Sequence, residues 1–180
     1  MLKIVTVPDK ILSTPTQPVK KIDEPVKKLV YEMEKTLIAQ KDPKGVGLAA
    51  NQVGVDLSLF IIKASEKTKT KIFINPKIIK LVNPLTRKPA KKKKRKKPVK
   101  LEGCLSIPRI WGPVKRAKKI YLEYQGLDGP PKKEWFQGFE ATIIQHEIDH
   151  LNGIVFTVRS VEQKGALYKE KDGELKPFDI

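Results

Sequence analysis

The five residues His146-Glu147-Ile148-Asp149-His150 constrain this chain more than any other stretch, because they use both of its histidines. On a helix, side chains four apart lie one turn above each other on the same face. Two imidazoles so placed can hold one metal ion, and the glutamate after the first can serve as a general base. The spacing therefore predicts a helix with a metal site on it. The apolar residues agree: Phe139, Ile143, Ile144, Ile148 and Leu151 recur at helical steps and predict a buried face. Asn152-Gly153 then supplies a stop signal.

A catalytic metal site needs three protein ligands and one position left for water. His146 and His150 supply two. Cys104 is the only cysteine. That excludes an intramolecular disulfide framework and fits a reducing compartment. An isolated thiol is more often a small buried hydrophobe; beside two histidines it becomes the candidate third ligand. It sits in Glu102-Gly103-Cys104-Leu105-Ser106, where Gly103 allows close approach to the backbone. A divalent ion in such a site lowers the pKa of its bound water to about 7, and Glu147 is placed to take that proton. A third segment, Gly45-Val46-Gly47-Leu48-Ala49-Ala50-Asn51-Gln52, is small and apolar, and no Gly-Lys-Ser/Thr makes it a phosphate loop. Gln52 ends it with an uncharged amide, able to donate to a developing oxyanion without disturbing metal or base.

Together these segments resemble the peptide deformylase family. Its three motifs are matched in order by Gly-Val-Gly-Leu-Ala-Ala-Asn-Gln (45–52), Glu-Gly-Cys-Leu-Ser (102–106) and Gln-His-Glu-Ile-Asp-His-Leu-Asn-Gly (145–153). The resemblance implies an α+β fold in which antiparallel β-sheets surround a central helix carrying the two histidines. It implies one metal ion on Cys104, His146 and His150: Fe(II) in the cell, with Zn(II), Ni(II) or Co(II) able to take the same place. The implied reaction is removal of the N-formyl group from the N-terminal formylmethionine of newly made polypeptides, with formate released. Glu147 is then the base, and the oxyanion donors are the Gln52 side chain and the Leu105 backbone N–H. The Gly47 backbone is expected to bond the substrate chain, and Val46 and Ile143 to line the methionine pocket. A cytoplasmic enzyme is expected. The chain departs from the family pattern in its lysine run before Glu102, in Trp111 near the pocket exit, and in lacking a clear basic C-terminal helix.

Two rival readings compete. A His-Glu-x-x-His metalloprotease would not call for a cysteine ligand or the 45–52 loop. A basic nucleic-acid-binding protein with a structural metal would account for the net charge of +17. Ten of the basic residues, however, fall in residues 87–100, which contain no acid. Such a block repels itself and is expected to be a disordered insertion. It holds no interleaved aromatics for stacking on bases. Two roles stand open for it: an attachment to ribosomal RNA, or a solvated insertion without function.

The remaining pattern is that of one domain over residues 1–180, with a polar tail from about 162. No run of 18 apolar residues offers a membrane span, and no secretory signal is expected at the start. Ile22, Val26, Leu29, Val30, Met33, Leu37 and Ile38 predict a helix over 22–39, capped by Asp23 with Pro25 in its first turn. Residues 57–63 predict a strand. Residues 71–82 predict two strand pieces divided at Asn75-Pro76. Residues 119–125 alternate and predict a strand that turns at Asp128-Gly129 into Glu134-Trp135-Phe136. Ile154 to Val158 predict a last strand.

Overall fold

The computed structural model describes residues 1–83 and 100–178. The basic run at 87–100 therefore lies outside the described residues, apart from Lys100. The first helix, α1 (Glu24–Ala39), forms as its periodicity requires. The Asp23 carboxylate accepts from the Val26 N–H at 3.2 Å, and Pro25 occupies the first turn, where its missing donor costs nothing. Val26, Val30, Met33 and Leu37 are buried along one stripe. Ile38, read as part of that stripe, is 54% exposed.

A five-stranded antiparallel sheet follows, built from β1 (Gly47–Ala49), β2 (Leu59–Ile62), β3 (Lys71–Val82), β6 (Lys119–Gln125) and β7 (Pro131–Gln137) in the order β1-β2-β3-β6-β7. β2 is apolar at every position because both of its faces are covered. Leu59 and Ile61 join α1 in one core cluster. Phe60 and Ile62 join a second cluster with Ala141, Ile143, Ile144 and Leu151. These last four belong to α2 (Gly138–Leu151), the histidine helix, which packs on the opposite face of the sheet. Ile120, Leu122 and Tyr124 alternate inward on β6 as expected, and Ile120 pairs with Phe136 across the hairpin. Phe139 is a correction: it is 54% exposed and does not join the buried face of α2.

β3 is one strand, not two pieces. Asn75 adopts φ +48, and the register with β6 shifts between Ile74 and Lys77, so the chain absorbs Pro76 as a bulge. The Asn75 side chain makes that bulge hold: it accepts from the Val19 N–H at 2.8 Å and donates to the Val19 carbonyl at 2.9 Å.

A second, four-stranded sheet consists of β4 (Leu101–Cys104), β5 (Ile107–Pro113), β8 (Leu167–Lys171) and β9 (Glu174–Phe178), and it reaches α2 through Glu102 and Cys104 of β4. The expected last strand at 154–158 is instead the start of α3 (Phe156–Glu162). Phe156 and Ser160, four apart, are its buried residues, and Arg159 reaches Asp149 on α2. Tertiary packing here overrides the local preference of Ile, Val, Phe and Thr for strands. The tail beyond 162 forms the β8–β9 hairpin, turned at Asp172-Gly173 with both residues at positive φ. The α+β class with antiparallel sheets is as expected. Among the described residues no helix is long and apolar enough to cross a membrane.

Candidate metal centre

Helix α2 presents His146 and His150 one turn apart, with ring centroids 5.0 Å from each other. Cys104, the last residue of β4, brings its sulfur to 3.1 Å from His150 Nε2. The sulfur and one nitrogen of each histidine all lie within 4.8 Å of one another. An ion bonded to such atoms at about 2.0–2.3 Å keeps tetrahedral donors roughly 3.3–3.8 Å apart. The three residues therefore fit one ion both in spacing and in their mixed sulfur–nitrogen chemistry.

The electrostatics favour cation capture. Burial works against a charged Cys104, yet the imidazoles of His150 and His146 overcome it and hold the thiol well below its ordinary range. Burial also works against a charged His146, but Cys104 and Glu102 raise it well above its ordinary value. Both shifts favour the ion-paired form of the pair, and a divalent cation binding there would displace the proton the two groups share.

Glu147 is 3% exposed, and its Oε2 has no hydrogen-bond partner among the described residues. Burial is the first reason its carboxyl is pushed up to about 7; the histidines oppose the shift. Gly47 makes room for it: a Cβ on Gly47 would stand 2.3 Å from Glu147 Oε1 and 2.9 Å from Ile143 Cγ2. The sequence reading assigned Gly47 a substrate contact; its missing side chain has this second consequence. Val46 and Ile143 belong to the same packed cluster beside that carboxylate.

Gln52 is 1% exposed. Its Oε1 accepts the Ala49 N–H at 2.8 Å, which fixes the amide orientation. Nε2 donates to Ser106 Oγ at 3.2 Å and lies 3.5 Å from Cys104 sulfur. One amide hydrogen thus serves Ser106 and the other faces the centre. Leu105 follows Cys104 in the turn to β5, its side chain packed against the α1 cluster. Trp111 lays its ring against Gly103, where a Cβ would meet it at 2.8 Å. What Gly103 admits is this indole, anchored by a 2.7 Å N–H bond to Glu170 of β8.

Several residues escaped the sequence reading. Asn51 donates to the His150 carbonyl at 2.6 Å. Glu102 lies 3.0 Å from His146 Nδ1, and Arg116 binds Glu102 and Asp149. Burial alone would raise Glu102; Arg116 and His146 outweigh it and hold its carboxyl at about 2. Asn51, Glu102 and Asp149 lie inside the three motifs, which was their signal. Arg116 is one of 37 basic residues, and nothing in the sequence distinguishes it.

A cysteine sulfur from β4 beside two imidazoles and a buried carboxylate from α2 forms an arrangement of the metal-hydrolase class. The comparisons narrow that class. The sequence model of the polypeptide deformylase family matches residues 1–166. A peptide deformylase of Desulfotalea psychrophila is 35% identical over 175 residues, covering 95% of this chain and 94% of the relative. One of Dictyoglomus thermophilum is 38% identical over 161 residues, covering 89% and 94%. The crystal structure of the Thermotoga maritima peptide deformylase superposes with a TM-score of 0.74 at 34% identity, over 88% of this chain and 97% of that one. The chain belongs to the peptide deformylase family.

Proposed function

We propose that this chain hydrolyses the N-formyl group of N-terminal formylmethionine on nascent polypeptides, with Cys104, His146 and His150 as metal ligands and Glu147 as the base. The observation that carries the residue assignment is the convergence of three donor atoms within 4.8 Å beside a buried carboxylate oxygen that has no partner among the described residues. A divalent ion, when bound, supplies Lewis acidity, polarising the formyl oxygen and making a bound water acidic near neutral pH. Glu147 takes the proton of the attacking water as the water oxygen bonds to the formyl carbon. The Gln52 Nε2 hydrogen that points toward Cys104 sulfur, with the Leu105 backbone N–H, receives the negative charge that develops on the formyl oxygen. Glu147 returns the proton to the methionine nitrogen as the C–N bond breaks, and formate and a free amine leave. The Gly47 backbone pairs with the substrate chain, and Val46 and Ile143 face the methionine side chain.

The native ion in this reading is Fe(II), with Zn(II), Ni(II) or Co(II) as replacements in the same donor set. The whole chain acts as one catalytic domain in the cytoplasm, and the basic run at 87–100 holds it near ribosomal RNA. Such binding releases condensed counterions and weakens steeply with salt. Replacing Lys91 through Lys97 by Gly and Ser is expected to abolish salt-sensitive co-sedimentation with ribosomes and to leave short-peptide turnover unchanged. Equal, salt-insensitive sedimentation of both proteins would refute the tether.

The function itself is tested by formate release from formyl-Met peptides, with metal analysis of anaerobically purified protein. Release of formate only from formylated peptide is expected. Internal cleavage of an unformylated peptide would return the metalloprotease reading. For the ferrous form, exposure to air is expected to shorten the active half-life; equal half-lives with and without oxygen would contradict it.

A further inference from the structure

Five charged or polar side chains run in one unbroken line behind the histidine helix. Arg159 of α3 donates to Asp149 Oδ1 through Nη2 at 2.9 Å and Nε at 3.2 Å. The other Asp149 oxygen takes Nη1 of Arg116, which lies in the 114–118 connection from β5 to β6. Arg116 turns the rest of its fork onto Glu102 of β4: Nε to Oε1 and Nη2 to Oε2, both at 2.9 Å. Glu102 Oε2 then stands 3.0 Å from Nδ1 of His146. Arg116, Glu102 and Asp149 side chains are 9%, 11% and 9% exposed, so the middle of the line is largely shut off from water.

Two features set this line apart from an ordinary stabilising ion network. First, buried ion pairs are poor sources of net stability, because desolvation consumes most of the attraction. Second, the line ends on a ring nitrogen. With Glu102 accepting from Nδ1–H, the His146 lone pair is fixed on Nε2, the tautomer a metal ligand needs. The partners also belong to separate elements. Glu102 sits two residues before Cys104 on β4, while Asp149 sits between His146 and His150 on α2. Arg116 therefore joins the strand that carries the sulfur to the helix that carries the nitrogens. A planar fork holds one carboxylate in two parallel bonds and still reaches another; an ammonium, a compact point charge, does not match that parallel geometry.

We propose that Arg116 is a positioning residue of the metal centre: it fixes Glu102 so that Glu102 orients His146, and through Asp149 it holds β4 and α2 at the separation the three ligands require. The proposal rests on Cys104, His146 and His150 binding the ion. It assigns Arg159 a lesser part, because Asp149 keeps its bond to Arg116 when Arg159 is removed.

The test uses the full chain loaded with Co(II), whose visible spectrum reports thiolate ligation and coordination geometry. Affinity is read by competition with a chelator, and melting is followed with and without metal. Arg116→Lys keeps the charge but loses the fork. It is expected to bind Co(II) about 10- to 100-fold more weakly, the usual cost of losing an outer partner of a ligand, with an altered visible spectrum. Arg159→Met is expected to stay within about threefold of wild type. A merely structural role would lower melting of both the metal-free and loaded forms and leave affinity and spectrum unchanged; that result would overturn the proposal. Should Arg116→Lys fail to fold, Glu102→Gln decides. Its amide matches the shape and is a weaker acceptor, so about tenfold weaker Co(II) binding is expected, and unchanged binding overturns the proposal. Failure of the wild type to bind Co(II) would instead refute the ligand assignment itself.

Discussion

The two sheets hold their shares of the centre by different physics. The five-stranded sheet lies between α1 and α2 and shares a packed apolar cluster with each. Phe60 and Phe73 stack at 4.8 Å, and Phe73 meets Tyr124 at 4.6 Å. The four-stranded sheet has a much smaller cluster, whose buried members are Cys104, Ile107, Phe156 and Leu167. It meets the histidine helix largely through Arg116, Glu102, Asp149 and Arg159. Apolar burial is strong but has no direction. It can press a helix onto a sheet without fixing the turn of one ring. Charge-assisted forks are directional. The histidines thus ride on a helix placed by burial, and the sulfur rides on a strand placed by ion pairs.

If that contrast is right, Phe73→Ala carries the largest stability cost, about 3–5 kcal/mol for a buried aromatic. Denaturant unfolding of the metal-free protein measures it, and a loss under 1 kcal/mol would break the contrast. Leu167→Ala, in the smaller cluster, is expected to cost about 2–3 kcal/mol, less than Phe73→Ala because a shallow site collapses more easily. Equal costs would mean that both sheets are held alike. Gly47→Ala sharpens the comparison at the active face. The new methyl displaces Glu147 and crowds Ile143, so kcat is expected to drop at least tenfold, or about 1.4 kcal/mol, with an overpacking cost to stability of about 1–3 kcal/mol, below that of Phe73→Ala. Unchanged kcat would show that the carboxylate has room to spare. Trp111→Phe is the smallest change. It keeps a ring on Gly103 and removes the bond to Glu170, for about 1 kcal/mol, and amide exchange should then speed up in β8 before it does in β2. Faster exchange in β2 first would reverse the assignment of the weaker region.

The same contrast explains what the sequence revealed. Elements placed by apolar periodicity were legible: α1, α2, β2 and the β6–β7 hairpin all carry repeating hydrophobic positions. The candidate ligand cluster was legible because both histidines and the only cysteine fall in dense, family-like motifs. The C-terminal hairpin was not, since Leu167 is its one buried residue in a polar stretch, although Asp172-Gly173 carried an available turn signal. α3 read as a strand because its β-branched residues speak for themselves locally, while Phe156 and Arg159 answer to distant partners. Arg116 stayed hidden for a related reason: its value lies in three contacts 14 to 33 residues away. A single arginine in a lysine-rich chain gives no pattern from which such contacts can be read.

The account turns on Glu147 being a base and not a ligand. The direct measurement is formate release from a formyl-Met peptide by wild type and Glu147→Gln, each at the same measured metal content. The amide cannot accept the proton of water at neutral pH, and losing a general base costs about 10²–10⁴ in rate. Metal bound in full with turnover reduced by that factor is the expected result. Near-native turnover at full metal occupancy, or loss of the metal itself, would contradict it.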